Sequence, residues 1–130
     1  MKTKTIWVVD DDPIYQIIMK KIIDKSGVFS CAISFTHGKE AIDKLKEVLS
    51  ENKKIPDIIL LDIEMPVLDG WGFMEEITVL KPLIIPEIQI YISSSSIAIE
   101  DKDKAKNDPN ILGYMSKPIT ITDLVKIASI

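Results

Sequence analysis

Five strand-length runs rich in apolar residues punctuate this chain: "TIWVV" (5–9), "FSCAIS" (29–34), "PDIILLD" (56–62), "EIQIYIS" (87–93) and "NILGYMS" (110–116). Each is followed by a longer segment. The first run has no polar alternation and is rich in β-branched and aromatic residues, the pattern of a strand covered on both faces. After it, Asp12-Pro13 is a helix start, because Asp caps and Pro is tolerated in the first turn. Ile14, Ile17, Ile18 and Ile22 recur there at helical spacing and predict the inward face, with the helix ending near Ser26-Gly27. Segment 38–52 predicts an amphipathic helix with Ala41, Ile42, Leu45, Val48 and Leu49 on one side. Segment 70–80 predicts a third helix, and the charged stretch 97–109 a fourth. Segment 119–130 predicts a last helix with Ile121, Leu124, Val125 and Ala128 inward. Strict βα alternation predicts an α/β fold: a five-stranded parallel sheet with helices on both faces, doubly wound, (βα)5 and flavodoxin-like in topology.

The remaining bulk properties narrow the function classes. The chain has 130 residues, 46% of them apolar and 28% charged, which suits one globular domain, 1–130. A net charge of -4, with no basic run beyond Lys20-Lys21 and Lys53-Lys54, leaves direct nucleic-acid binding without an electrostatic footprint. Cys31 is the single cysteine, so no internal disulfide forms. No stretch approaches the roughly 20 apolar residues that span a bilayer, and "MKTKTIWVVDDD" lacks the apolar core of a signal peptide. The expectation is a cytoplasmic protein without membrane contact. His37, the only histidine, has no companion ligands and reads as a surface residue. Trp7 and Trp71 read as packing residues.

Parallel strands bring their carboxyl ends to one edge, where open α/β sheets bind ligands. The first strand ends in Asp10-Asp11-Asp12, the third in Asp62, the fourth in Ser93-Ser94 and the fifth in Ser116-Lys117-Pro118. Three acids, a hydroxyl and a lysine thus converge. Adjacent carboxylates repel, and a hard cation such as Mg²⁺ relieves that repulsion while leaving room for a phosphate. The hydroxyl and the ammonium suit a tetrahedral anion at the same place.

Read together, "TIWVVDDDP", "PDIILLDIEMPVLDGWGF", "IYISSS" and "GYMSKP" resemble a response-regulator receiver domain, the phosphoacceptor module of two-component signalling. The most specific part is D-x-x-MP-x-x-DG, from Asp62 to Gly70. The resemblance implies that Asp62 accepts the phosphoryl group and that Asp10 and Asp11 organise Mg²⁺, Asp11 directly and Asp10 largely through water. It implies that the Glu64 backbone carbonyl is a further metal ligand and that Lys117, ahead of Pro118 and typically a cis bond, pairs with phosphate. Ser93 and Tyr114 match the switch positions. Asp12 better suits helix capping, and Gly70 a turn with positive φ. Glu64 and Ser95, each two residues beyond a site position, are expected to influence how long the phosphoryl group lasts.

The implied donor is a sensor histidine kinase or a histidine phosphotransfer protein, and the implied output is a contact with a downstream protein. The chemistry would be self-catalysed rather than that of a turnover enzyme. Length and the lack of a linker predict a stand-alone regulator. Two other readings compete. A haloacid-dehalogenase-type phosphatase uses a nucleophilic aspartate after its first strand, which Asp10 and Asp12 satisfy, but leaves D-x-x-MP-x-x-DG unexplained. A flavodoxin-like electron carrier shares the topology, but three aspartates would repel the FMN phosphate.

Overall fold

The computed structural model describes residues 4–84, 88–94 and 99–129. Five parallel strands and five helices alternate as β1 (Lys4–Val9), α1 (Pro13–Ser26), β2 (Phe29–Phe35), α2 (Gly38–Ser50), β3 (Ile58–Leu61), α3 (Gly70–Ile84), β4 (Gln89–Ser94), α4 (Ile99–Asn107), β5 (Ile111–Ser116) and α5 (Ile121–Ala128). The sheet order is β2-β1-β3-β4-β5. The chain direction reverses across the sheet after β2, which opens a crevice at the carboxyl ends of β1 and β3.

Period-two alternation divides the strands between two apolar layers. Ile6 and Val8 of β1 and Ile58 and Leu60 of β3 pack with Met19, Ile23, Leu124 and Ile127, so α1 and α5 cover that face. Trp7, Val9, Ile59 and Leu61 pack oppositely with Ala41, Ile42, Leu45, Phe73, Met74 and Ile77 of α2 and α3. Each fully buried Ile or Leu contributes about 1.5–3 kcal/mol relative to exposure. This double cover makes β1 and β3 continuous apolar runs.

The helix starts follow local chemistry. Asp12 caps α1, its carboxylate accepting from the Ile14 and Tyr15 amides, and Gly27 ends the helix in the left-handed region at φ 66°. Thr120 and Asp123 form a reciprocal capping box at α5. The predicted inward face of α2 stands: Ala41, Ile42, Leu45 and Val48 are buried and Leu49 packs against them. Helix α3 runs four residues beyond its predicted end, through Pro82, and α4 ends at Asn107, two residues before its predicted end. The predicted starts of β4 and α4, at residues 87 and 97–98, lie outside the described residues.

Two inward faces differ from expectation. In α1, Gln16, Met19 and Ile23 are buried and Ile22 packs half-buried beside them as expected, whereas Ile14 is 68% and Ile17 59% exposed and Ile18 also faces out. The isoleucine stripe is real, but a second stripe one residue round the helix carries an amide that the sheet requires. Gln16 Nε2 lies within hydrogen-bond distance of the carbonyls of Val8 (3.0 Å), Asp10 (3.1 Å) and Phe35 (3.1 Å), its two N–H groups shared among the three, and so ties the ends of β1 and β2 together. In α5, Leu124 and Ile127 face the sheet and Ala128 packs beside them, while Ile121 and Val125 are exposed.

Gly70 does not have positive φ; among the described residues Gly27 is the one glycine that does. Gly70 is required for close approach instead. A Cβ there would stand 2.7 Å from the Asp62 carbonyl oxygen and 2.8 Å from Ile63 Cα. Its own N–H donates to Ile63 O at 2.8 Å, pulling the start of α3 against the end of β3. The positive φ falls on Val67 (φ 70°), whose flanking residues close a three-residue turn through Leu68 N to Pro66 O at 2.8 Å. A β-branched residue is strained there. Opposite stability effects should follow. Gly70→Ala is expected to cost about 3 kcal/mol, because the clash is with backbone that cannot swing aside. Val67→Asn is expected to add about 1 kcal/mol by relieving the strained φ. Urea denaturation of the two variants checks both signs.

Candidate acidic site at the carboxyl edge of the sheet

The register brings the acids together. Val9 and Leu61 are partners across β1 and β3, so the next residues, Asp10 and Asp62, emerge side by side. Their backbones remain tied to the sheet: Asp10 N donates to Phe35 O at 3.0 Å and Asp62 N to Val9 O at 2.9 Å. Both residues are buried. Carboxylate oxygens of Asp10, Asp11 and Asp62 lie within 4.8 Å of one another. Asp12 points to its helix instead, as expected, and its own N–H donates to Asp10 Oδ1 at 2.9 Å.

Lys117 supplies the cation. It follows β5, and its N–H donates to Ser94 O at 2.9 Å, which fixes its backbone beside the end of β4. Its Nζ reaches Asp10 Oδ2 at 2.5 Å and lies 3.8 Å from Asp62 Oδ1. The Lys117-Pro118 bond is cis. Burial alone would lower the lysine pKa, but the hydrogen bond and charge of Asp10, reinforced by Asp62, hold it above the usual range. For Asp62, burial, then Asp10 and more weakly Asp11, outweigh the attraction of Lys117 and push its pKa up to about 6. One ammonium among three acids leaves the cluster short of positive charge.

The remaining expected residues divide. Ser93 is buried at the end of β4. Tyr114 lies away from the acids: it is 42% exposed on β5, paired with Ile92, with the Lys102 ammonium 5.3 Å from its ring centroid. Glu64 is exposed on the loop after Asp62. Ser95 lies outside the described residues.

Residues 6–129 match the model of the response regulator receiver domain family. The chain belongs to that family. A two-component response regulator from Cytophaga hutchinsonii superposes with a TM-score of 0.85 at 30% identity, covering 99% of this chain and 96% of that one. A response regulator receiver protein from Dyadobacter fermentans gives 0.83 at 29% identity, over 96% and 94%. Chemotaxis protein CheY of Thermotoga maritima is 35% identical over 79 residues, 61% of this chain and 60% of the relative. The DNA-binding transcriptional regulator NtrC of Klebsiella pneumoniae is 28% identical over 127 residues, 98% of this chain; the receiver spans only 24% of that regulator. The family is a signalling one, which sets aside the phosphatase and electron-carrier readings. Among the described residues no helix is long and apolar enough to cross a membrane.

Receiver domains bind Mg²⁺ at such an acid cluster, and the donor set here fits. All three side chains offer hard oxygen ligands. Two oxygens on one octahedral Mg²⁺ stand about 3–4.2 Å apart, given Mg–O distances of about 2.1 Å. The observed 4.8 Å limit is thus within a small closure of coordination.

Sequence reasoning missed two residues of this receiver's site. Gln16 was hidden because a polar residue between isoleucines reads as the outer face, yet its amide holds the Asp10 carbonyl. Tyr15 was hidden because nothing in its spacing points to a site at the end of a different strand. Its ring lies 4.2 Å from Lys117 Nζ, and its hydroxyl 3.3 Å from Ser93 Oγ.

The Asp62 pKa implies a pH dependence. The folded carboxyl holds its proton up to about pH 6, against an ordinary value of 3.8. Folding is therefore favoured by this group below about pH 4, and that advantage is lost as pH rises through 6. In metal-free buffer at pH 7.5, Asp62→Asn should be more stable than the parent by about 2 kcal/mol, because a rise from 3.8 to about 6 at about 1.4 kcal/mol per unit gives about 3 kcal/mol and solvent screening of this partly accessible carboxylate reduces it. The difference should vanish near pH 4. Urea melts at the two pH values test this.

Proposed function

We propose that residues 1–130 act as one phosphoacceptor unit of a cytoplasmic two-component pathway, with Asp62 taking the phosphoryl group. The observation that carries this reading is the placement of Asp62: buried, beside Asp10 and Asp11, with the Lys117 ammonium 3.8 Å away. The donor is a phosphohistidine on a sensor histidine kinase or a histidine phosphotransfer protein. An Asp62 oxygen attacks phosphorus, the N–P bond breaks, and the imidazole leaves with the electron pair and takes up a proton. Asp10, Asp11, Asp62 and the Glu64 carbonyl would hold Mg²⁺, which supplies charge neutralisation to the transferring group. Lys117 adds a second positive charge, positioned by its bond to Asp10. No separate catalyst is needed, because the acceptor's own domain holds the stabilising charges.

After transfer, the phosphoryl group brings extra negative charge and acceptor oxygens. Ser93 donates to one of them. Its movement leaves space for Tyr114, which is exposed before transfer, to turn inward. The surface formed by α4, β5 and α5 then presents a different shape to a downstream protein.

Acetyl phosphate with Mg²⁺ should add one phosphoryl group, seen by intact mass, and Asp62→Asn or chelation of the metal should abolish it. Labelling of the Asp62→Asn protein at the parent rate would remove the reading. Asp11→Asn should weaken Mg²⁺ binding at least tenfold without loss of metal-free stability, because it deletes one of the mutually repelling charges. Glu64, free at its side chain, opposes build-up of negative charge. Glu64→Gln should speed phosphorylation about twofold, the order expected of one partly screened charge, and change dephosphorylation less. An unchanged uptake rate with a much longer-lived phosphoryl group would instead make Glu64 a water-orienting group.

A further inference from the structure

Tyr15 touches two of the groups assigned above to the phosphoryl anion, and it is itself held from behind. Its N–H is bound by the capping carboxylate of Asp12 at 3.3 Å, in the first turn of α1. Its ring packs against the apolar layer under α1 and α5. From that fixed seat the ring presents its face to Lys117 Nζ at 4.2 Å and its hydroxyl to Ser93 Oγ at 3.3 Å.

The donor count at Lys117 gives the ring a purpose. An ammonium has three N–H groups in a fixed tetrahedral arrangement. Asp10 takes one at 2.5 Å, and the negative face of the Tyr15 ring accommodates a second. The ammonium is thereby oriented as well as held, with its remaining donor available toward Asp62, 3.8 Å away. Without the ring, the long side chain would keep its contact with Asp10 but lose that orientation.

The hydroxyl pair is also directional. Burial raises the phenol pKa, so Tyr15 stays protonated and neutral. Either hydroxyl can donate across this contact, but a phenol is a stronger hydrogen-bond acid than an aliphatic alcohol, which favours the arrangement in which Tyr15 donates and Ser93 accepts. The serine's own proton is then left for another acceptor, and hydrogen bonds in such a chain strengthen one another. At 3.3 Å the contact is longer than the usual O–H···O distance of about 2.7–2.8 Å. It orients the serine without locking it.

We propose that Tyr15 is a positioning residue for phosphoryl transfer: its ring seats the Lys117 ammonium, and its hydroxyl turns the Ser93 proton toward the incoming phosphoryl oxygen. The proposal rests on the reading of Asp62 as acceptor and adds the group that prepares two of its partners.

A double-mutant cycle separates this role from simple packing. Tyr15→Phe keeps the ring and removes the hydroxyl; Tyr15→Leu removes both. Each is made in the parent and in Ser93→Ala, and uptake of phosphoryl from acetyl phosphate with Mg²⁺ is timed by intact mass. Circular dichroism at the assay temperature is used to select conditions in which every variant is folded. Tyr15→Phe should slow uptake about threefold to tenfold in the parent, the range for loss of one neutral hydrogen bond, and should add nothing in Ser93→Ala. Tyr15→Leu should slow uptake further in both backgrounds, through Lys117. An unchanged rate for Tyr15→Phe in the parent, or the same slowing in both backgrounds, would overturn the proposal while leaving Asp62 as acceptor. A parent that takes up no phosphoryl group would overturn the acceptor reading and this proposal with it.

Discussion

The contact between the Lys117 ammonium and the Asp10 carboxylate is the interaction on which the carboxyl edge of the sheet depends. Parallel pairing of β1 with β3 places Asp10 and Asp62 side by side and buried, an arrangement that costs free energy unless a cation answers it. Lys117 comes from the far side of the sheet, beyond β4, and is fixed at its backbone by Ser94. Such a pair contributes little net stability compared with an apolar substitute, but removing one partner strands the other charge. Its role is to fix position. Burial first, and then the neighbouring Asp10, raises the Asp62 pKa, and the deficit of positive charge in the cluster is one a divalent cation would fill.

Much of this was legible in the sequence, for identifiable reasons. Strands covered on both faces must be continuous apolar runs, so "IWVV" and "IILL" announced themselves. The topology of parallel strands then required Asp10, Asp62, Ser93 and Lys117 to share an edge. Asp12-Pro13 could be read as a cap because capping is local. Helix rotation was not legible in α1. Ile14, Ile17 and Ile18 form as good a stripe as Met19 and Ile23 do, and only the three carbonyls waiting for Gln16 decide between them. Gly70 was recognised as constrained but for the wrong reason, since steric approach to Asp62 O is a tertiary fact. Tyr15 became visible only once Lys117 and Ser93 were in place.

Helix α4 is built differently from the others. Among the described side chains of Glu100 to Asn107, Ala105 belongs to the buried core. The other contacts of these described side chains are polar: the Trp71 indole N–H donates to Asp101 at 3.1 Å, Lys104 lies 4.7 Å from the Trp71 ring centroid, and Lys102 lies 5.3 Å from the Tyr114 ring centroid. A helix held by charges on aromatic rings has less burial resisting displacement than α2, whose inner face is wholly apolar. That difference leaves α4, which packs along β5, less firmly anchored than the helices on the central strands.

The order in which the sheet is threaded has a consequence during synthesis. Asp10 and Asp62 belong to the first half of the chain, whereas Lys117 lies near its end. A nascent chain therefore carries the acids of the central strands before the lysine that answers them has left the ribosome. The same holds for any fragment ending before β5. Such chains hold two neighbouring carboxylates without the ammonium that the completed domain sets against them, and burying both in ionised form is costly. The full charge arrangement at the carboxyl edge is in this way tied to completion of the fold, because its cation is the last of its members to be made.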